Sequence, residues 1–145
     1  MASEVLVKAG PKGLNQQIEA RGHRLLADEP LDAGGTDTGP NPYDLLLAAL
    51  GACSSMTVRL YADRKGYPLR GVEIKLRHEK AHLKDCQDCE SPNAKIDLIQ
   101  REIKLIGNLS EEERQRLLEI ADRCPVARTL QSDIRIESRL VPMSS

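Results

Sequence analysis

The sequence predicts an α+β fold: a mostly antiparallel sheet packed around one long buried helix, with a second helix near the C-terminus. Three observations carry that expectation. Asn41 to Lys65 has the punctuation of a single long helix that is apolar through its first half. Short segments on both sides alternate apolar and polar residues with the two-residue period of strands. Ser110 and Glu113 have the spacing of a capping box ahead of a stretch with helical periodicity.

Taken in order, Val5, Val7 and Ala9 alternate with Leu6 and Lys8, and Gly10-Pro-Lys-Gly13 then turns the chain. Leu14 to Ala20 and His23 to Ala27 continue as strands, joined by a turn at Arg21-Gly22. Pro30 to Pro40, rich in glycine and proline, reads as a loop that delivers the helix. Asn41 is a strong N-cap, Pro42 suits the first helical position, and Asp44 places a carboxylate in the positive first turn. Gly66 and Pro68 stop the helix after about 35 Å. Its first half, apolar on every side, is expected to be buried all round; Arg59, Asp63, Arg64 and Lys65 bring the second half to the surface.

Val72, Ile74 and Leu76 then define a half-buried strand, and His78 keeps the same parity. Ile96 and Leu98 begin the next strand, but Ile103 and Leu105 have the opposite parity, which a bulge near Ile99-Gln100 reconciles. In the second helix Leu117, Ile120, Ala121 and Cys124 share one face, so Cys124 points inward. Pro125 ends that helix and opens a short one to Leu130, which makes Cys124 a cap residue. Ile134, Ile136 and Leu140 complete a last strand.

At 145 residues the chain is expected to be a single domain, residues 1–145. Its formal charge of −1 comes from interspersed acids and bases. No basic stripe points to nucleic acid, and no polybasic tail to a membrane surface. With three tyrosines and no Phe or Trp, the core must be aliphatic, and stacking platforms for bases are missing. The apolar run from Leu45 to Cys53 is about half a membrane span, and the N-terminus lacks the layout of a signal peptide. The expected location is the cytoplasm, where thiols are kept reduced and disulfides are transient or catalytic. A single sheet covers only one side of an all-apolar helix. A second copy of the chain is the economical cover for the other, so a homodimer is expected with the Cys53 helix near its interface.

Four cysteines therefore suggest chemistry or metal rather than staples. Cys53 lies in the apolar helix among Gly51, Ala52, Ser54 and Ser55, small residues that let another backbone approach. Cys53 and Cys124 are either inert core thiols or an attacking and a resolving pair. An apolar setting raises a thiol pKa, so a reactive Cys53 needs a cation or donors brought to it; Lys12, Arg21 and Arg128 are the candidate cations. A second group is His78, His82, Cys86 and Cys89, all legitimate zinc ligands at a spacing that matches no standard finger. A solvent loop and a redox dithiol at Cys86 and Cys89 remain open beside the metal. Gly34 to Gly39 lacks the following lysine of a phosphate loop, and Ser54 and Ser55 lie inside a helix rather than on a nucleophile elbow.

At these residues the chain resembles the OsmC/Ohr family of thiol-dependent hydroperoxide reductases. The resemblance covers nearly the whole chain: Gly-Gly-Thr ahead of Asn41-Pro42, the helix with Gly51-Ala-Cys53, and Cys124-Pro125. It implies an intertwined OsmC-like homodimer with sites built from both chains, Cys53 as the peroxidatic thiol and Cys124 as the resolving thiol. It implies no cofactor, a hydroperoxide substrate, and a cellular thiol or dithiol as reductant. Well-characterised members carry a glutamate directly after the Asn-Pro and an arginine in the N-terminal turn, which together activate the thiol. Here Tyr43 takes the glutamate position with Asp44 beside it, and the turn offers Lys12, with Arg21 and Arg24 further on. These four, Lys12, Arg21, Tyr43 and Asp44, are the candidate activators. The alternative function is a non-catalytic dimer of this fold that binds a metal through His78, His82, Cys86 and Cys89, or a small ligand.

Overall fold

The computed structural model of this chain describes residues 2–82 and 95–143. Its backbone contacts cluster into two compact units, Met1–Ala49 with Leu76–Gln100 and Leu50–Lys75 with Arg101–Ser145.

In the first unit, β1 (Leu6–Ala9), β2 (Gln16–Ala20) and β3 (His23–Ala27) form an antiparallel meander in the order β1-β2-β3. Ile18 lies opposite Val7 on one side and Leu25 on the other. Arg21 and Gly22 turn the chain between β2 and β3 with φ of 49° and 85°, the pair of positive values a two-residue type I′ hairpin needs. The following loop contains one turn of 3₁₀ helix, Leu31–Ala33, and is tied by a buried acid. Asp28 is 2 % exposed. Its carboxylate accepts from the Thr36 and Thr38 hydroxyls, both at 2.7 Å, and from the backbone N–H groups of Glu29, Thr36 and Thr38. The two threonine hydroxyls lead in holding its pKa far below the usual 3.8, against the opposing effect of burial. Gly35 lies so close to the Glu29 carbonyl that a Cβ there would overlap it. Only glycine fits.

That loop leads into α1 (Pro42–Lys65) through a reciprocal cap: Asn41 Oδ1 accepts from the Asp44 N–H at 2.8 Å, and Asp44 Oδ2 accepts from the Asn41 N–H at 3.0 Å. The helix closes at Gly66, in the left-handed region at φ 72°. Its buried residues are Leu50, Gly51, Ser54, Val58, Tyr61 and Ala62, one continuous face. Within a single chain the first half of α1 is not buried: from Pro42 to Ala49 no residue is buried, and Tyr43, Ala48 and Ala49 are exposed. Apolar composition does not bury a side chain unless other atoms come against it. By length and hydropathy alone α1 is long and apolar enough to cross a membrane, yet Val58, Tyr61 and Ala62 lie in a packed protein core.

That core belongs to the second unit. Val58, Tyr61 and Ala62 meet Leu69 of β4 (Leu69–His82), Leu109, and Leu117, Ile120 and Ala121 of α2 (Glu111–Ala121). Tyr67 and Val72, with Ile103 and Leu105 of β5 (Lys95–Gly107), pack against it. β4 and β5 pair in a two-stranded sheet. Along β5 the half-buried positions change parity at Leu98 and Ile99, after which Ile99, Arg101, Ile103 and Leu105 turn inward. The capping box is complete: Ser110 Oγ accepts from the Glu113 N–H at 3.1 Å, and Glu113 accepts from the Ser110 N–H at 2.8 Å. A short α3 (Pro125–Leu130) follows, with Cys124 as its N-cap.

The expected last strand does not form among the described residues. Ile134, Ile136 and Leu140 lie in irregular chain and are 56 %, 85 % and 97 % exposed. Alternation produces a strand only where an edge is available to pair with it.

Leu117 is completely buried, so Leu117→Ala is expected to cost about 2–5 kcal/mol in urea unfolding. Asp28→Asn is expected to lower the thermal midpoint. The folded pKa of Asp28 lies below its unfolded value, so its contribution is complete above about pH 4 and fades as pH falls through the folded value. The gap between wild type and Asp28→Asn should therefore narrow in acid. A gap independent of pH would show that ionisation at Asp28 plays no part.

Candidate thiol site

Cys53 and Ser54 are neighbours on α1, but they meet different surroundings: Cys53 is half-buried and Ser54 fully buried. A serine is tolerated there because its hydroxyl bonds back to the Leu50 carbonyl at 2.7 Å, one turn earlier. Across the core, α2 ends at Ala121 and the Cys124 N–H bonds to the Ala121 carbonyl at 3.2 Å. Pro125 cannot continue the helix and starts α3, which leaves Cys124 extended at φ −63° and ψ 143°. Its thiol therefore turns back over the first turn of α3 and accepts from the Ala127 N–H at 3.4 Å.

This places the Cys124 sulfur, with no exposed surface, 3.4 Å from Ser54 Oγ. The Cys53 side chain is among the groups that hold down the pKa of the same sulfur. The other thiol that the sequence singled out, Cys53, 71 positions earlier in the chain, directly precedes that serine on α1. Burial alone pushes the Cys124 thiol up. The Ser54 hydroxyl, the Ala127 N–H, the Cys53 side chain and the charge of Arg101 act in the opposite direction and prevail, so its pKa lies below the ordinary 9.0. Arg101 is held from three sides: Nη1 donates to Ser54 Oγ at 2.8 Å and to the Ala121 carbonyl at 3.2 Å, and Nη2 donates to Asp122 Oδ1 at 2.8 Å. Its side chain is 15 % exposed. Arg128, a candidate cation from the sequence, is exposed on α3.

The candidate activators lie in the first unit. Lys12 is exposed in the turn after β1, and Arg21 is exposed in the β2–β3 hairpin. Asp44 is engaged in the helix cap, with its carboxylate on the Asn41 N–H. Tyr43 stacks face to face on His78, with ring centroids 4.6 Å apart and planes 8° apart. His78 Nε2 also contacts Asp97 Oδ1 at 2.8 Å, and Lys80 Nζ pairs with that oxygen at 2.8 Å. Of the suggested metal ligands, Cys86 and Cys89 and the His82 side chain lie outside the described residues. No group of His, Cys, Asp and Glu side chains able to hold a metal ion is present among the described residues.

Ser54, which the sequence marked only as a small helix residue, meets Cys124 and Arg101 here, while Arg101 and Asp122 were not marked at all. One signal pointed to Arg101: it shares the inward parity of Ile103 and Leu105, where a cation needs a built partner.

Across residues 35–139 the chain matches the model of the family described as OsmC-like protein. The chain belongs to this family. Solved structures agree on the fold. An OsmC-like protein of Mycoplasma pneumoniae superposes with a TM-score of 0.66 at 18 % identity, covering 90 % of this chain and 88 % of that one. An organic hydroperoxide resistance protein OsmC from Legionella pneumophila gives 0.65 at 18 % identity, with 90 % of each chain covered. The organic hydroperoxide resistance protein OhrB of Bacillus subtilis gives 0.61 at 18 % identity, with 92 % and 93 % covered. No curated protein matches the sequence. The α+β OsmC-like fold expected from the sequence is thereby borne out.

The cap assigns Asp44 a structural duty that is testable alone. Asn41→Ala is expected to cost about 0.5–2 kcal/mol in chemical unfolding, with Asp44→Ala losing the reciprocal bond in the same direction. If neither variant moves the unfolding midpoint, the reciprocal cap contributes nothing.

Proposed function

We propose that this protein is a thiol-dependent hydroperoxide reductase in which Cys53 attacks and Cys124 resolves. The observation that carries the proposal is the Ser54 hydroxyl 3.4 Å from the Cys124 sulfur, which sets the fully buried Cys124 against the α1 residue next to the half-buried Cys53. An attacking thiol must meet its substrate, and Cys53 has the accessible surface. A resolving thiol needs to meet only the first sulfur, and burial does not hinder that. Family membership and the names of the Legionella and Bacillus neighbours support a role in hydroperoxide resistance.

The Cys53 thiolate attacks the outer oxygen of a hydroperoxide. A sulfur–oxygen bond forms, the oxygen–oxygen bond breaks, and the alkoxide leaves and takes a proton as the alcohol. Cys53 is then a sulfenic acid. The Cys124 sulfur attacks the Cys53 sulfur, the disulfide forms, and hydroxide leaves and is protonated to water. A cellular thiol or dithiol supplies two electrons to restore both thiols. The cycle uses no cofactor. Lys12 and Arg21 are the cations this reading assigns to activating Cys53, with Tyr43 and Asp44 at the entry of α1.

The same reading takes the protein to be a cytoplasmic homodimer, with neither nucleic acid nor membrane as a partner. Met56 and Leu60, 65 % and 70 % exposed on α1, support a second copy as cover. Light scattering on the purified protein should return twice the chain mass; a monomer at micromolar concentration contradicts this.

Cys53→Ser is expected to abolish hydroperoxide consumption. Cys124→Ser should consume about one equivalent and accumulate a sulfenic acid that dimedone traps on Cys53. Full turnover by Cys53→Ser overturns the assignment.

A further inference from the structure

Arg101 lies on the inward face of β5 and donates to the Ser54 hydroxyl, the Ala121 carbonyl and the Asp122 carboxylate. We propose that Arg101 and Ser54 act as a positioning pair for Cys124, fixing a hydroxyl whose proton swings from the Leu50 carbonyl to the Cys124 sulfur when that sulfur ionises. The inference deepens the reductase reading and rests on it for its catalytic consequence, though not for the ionisation itself.

Ser54 Oγ has one proton and two lone pairs. One lone pair is taken by Arg101 Nη1 at 2.8 Å. The proton has two acceptors in range, the Leu50 carbonyl at 2.7 Å and Cys124 Sγ at 3.4 Å. While Cys124 is a thiol, its S–H donates into the second lone pair and Ser54 donates to Leu50. When Cys124 loses its proton, a rotation about the serine Cβ–Oγ bond turns the O–H onto the sulfur, with no heavy atom displaced. Arg101 holds the oxygen in place throughout and adds positive charge that favours the thiolate. A thiolate so held satisfies the requirement for resolution, because the thiolate, not the thiol, attacks the sulfenic sulfur.

Among the described residues, Cys53 of α1 and Arg101 of β5 both act on the ionisation of the sulfur. Asp122, one residue past α2, pairs with the far nitrogen of Arg101. α3 supplies the neutral N–H of Ala127. Ser54 is the only described group that both contacts the sulfur and accepts from Arg101.

Arg101 also donates to the carbonyl of Ala121, the last residue of α2, so a helix-capping role is the competing explanation. Ser54→Ala separates the two, because it cuts the link to the sulfur and leaves the Arg101 contacts to Ala121 and Asp122. The experiment uses the reduced full-length protein labelled with ¹³Cβ-cysteine, with the Cys124 signal assigned through Cys124→Ser and followed across pH. Ser54→Ala and Arg101→Met are each expected to raise the Cys124 midpoint by roughly one pH unit, a tenfold loss of thiolate at fixed neutral pH. Arg101→Lys, which keeps the charge, should fall between them and wild type. After one equivalent of hydroperoxide, disulfide formation in Ser54→Ala should slow about tenfold at neutral pH and recover as pH rises. A Cys124 midpoint that does not move in folded Ser54→Ala overturns the proposal and leaves Arg101 as a helix cap; this test stands even if Arg101→Met fails to fold. A midpoint that moves in a protein that consumes no hydroperoxide supports the pair and overturns the reductase reading instead.

Discussion

The contact between Ser54 on α1 and Cys124 at the head of α3 is the constraint around which the candidate site is built. A hydroxyl and a sulfur 3.4 Å apart in a buried setting require a small residue on one helix and a chain reversal on the other side. Ser54 satisfies the first requirement, with its polar atom bonded back to its own helix. Pro125 satisfies the second, since it stops α2 and starts α3 with Cys124 held extended between them. Val58, Leu117 and Ala121, all fully buried, form the core that keeps the two segments in register. A larger side chain at position 54 would separate them.

The electrostatics follow from the same contact. Moving a thiol out of water disfavours its thiolate, and at Cys124 burial is the largest single influence. Four weaker influences outweigh it because they all act in one direction: a hydroxyl, a backbone N–H, a neighbouring thiol and a guanidinium. Only one, Arg101, carries full charge, and it acts on the sulfur through its electrostatic field. A buried sulfur with a lowered pKa suits a group that attacks another sulfur and has no need to meet solvent.

Local signals were legible in the sequence, and long-range ones were not. The span of α1 could be read from Asn41, Pro42 and Gly66, and α2 from Ser110 and Glu113, because a cap is decided by residues three or four apart. Cys124 as a cap residue followed from Pro125 in the same way. The family motif around Cys53 pointed to the thiol pair before any geometry was known. Arg101 reaching Ser54 across 47 positions left no local trace except its inward parity. The Asp28 anchorage, with threonines eight and ten residues later, left none. Ile134, Ile136 and Leu140 had the alternation of a strand, and Leu45 to Ala49 the composition of a core. Whether such segments pair or bury depends on what lies against them, and a single sequence does not carry that information.

Turnover by this thiol pair requires Cys53 and Cys124 to be joined by oxidation within one chain. The direct measurement is peptide mapping by mass spectrometry, without reduction, after one equivalent of an organic hydroperoxide is added to the reduced protein. The expected result is a single new cross-link, between the peptides that contain Cys53 and Cys124. Free thiols at both positions, or a cross-link confined to Cys86 and Cys89, would contradict it.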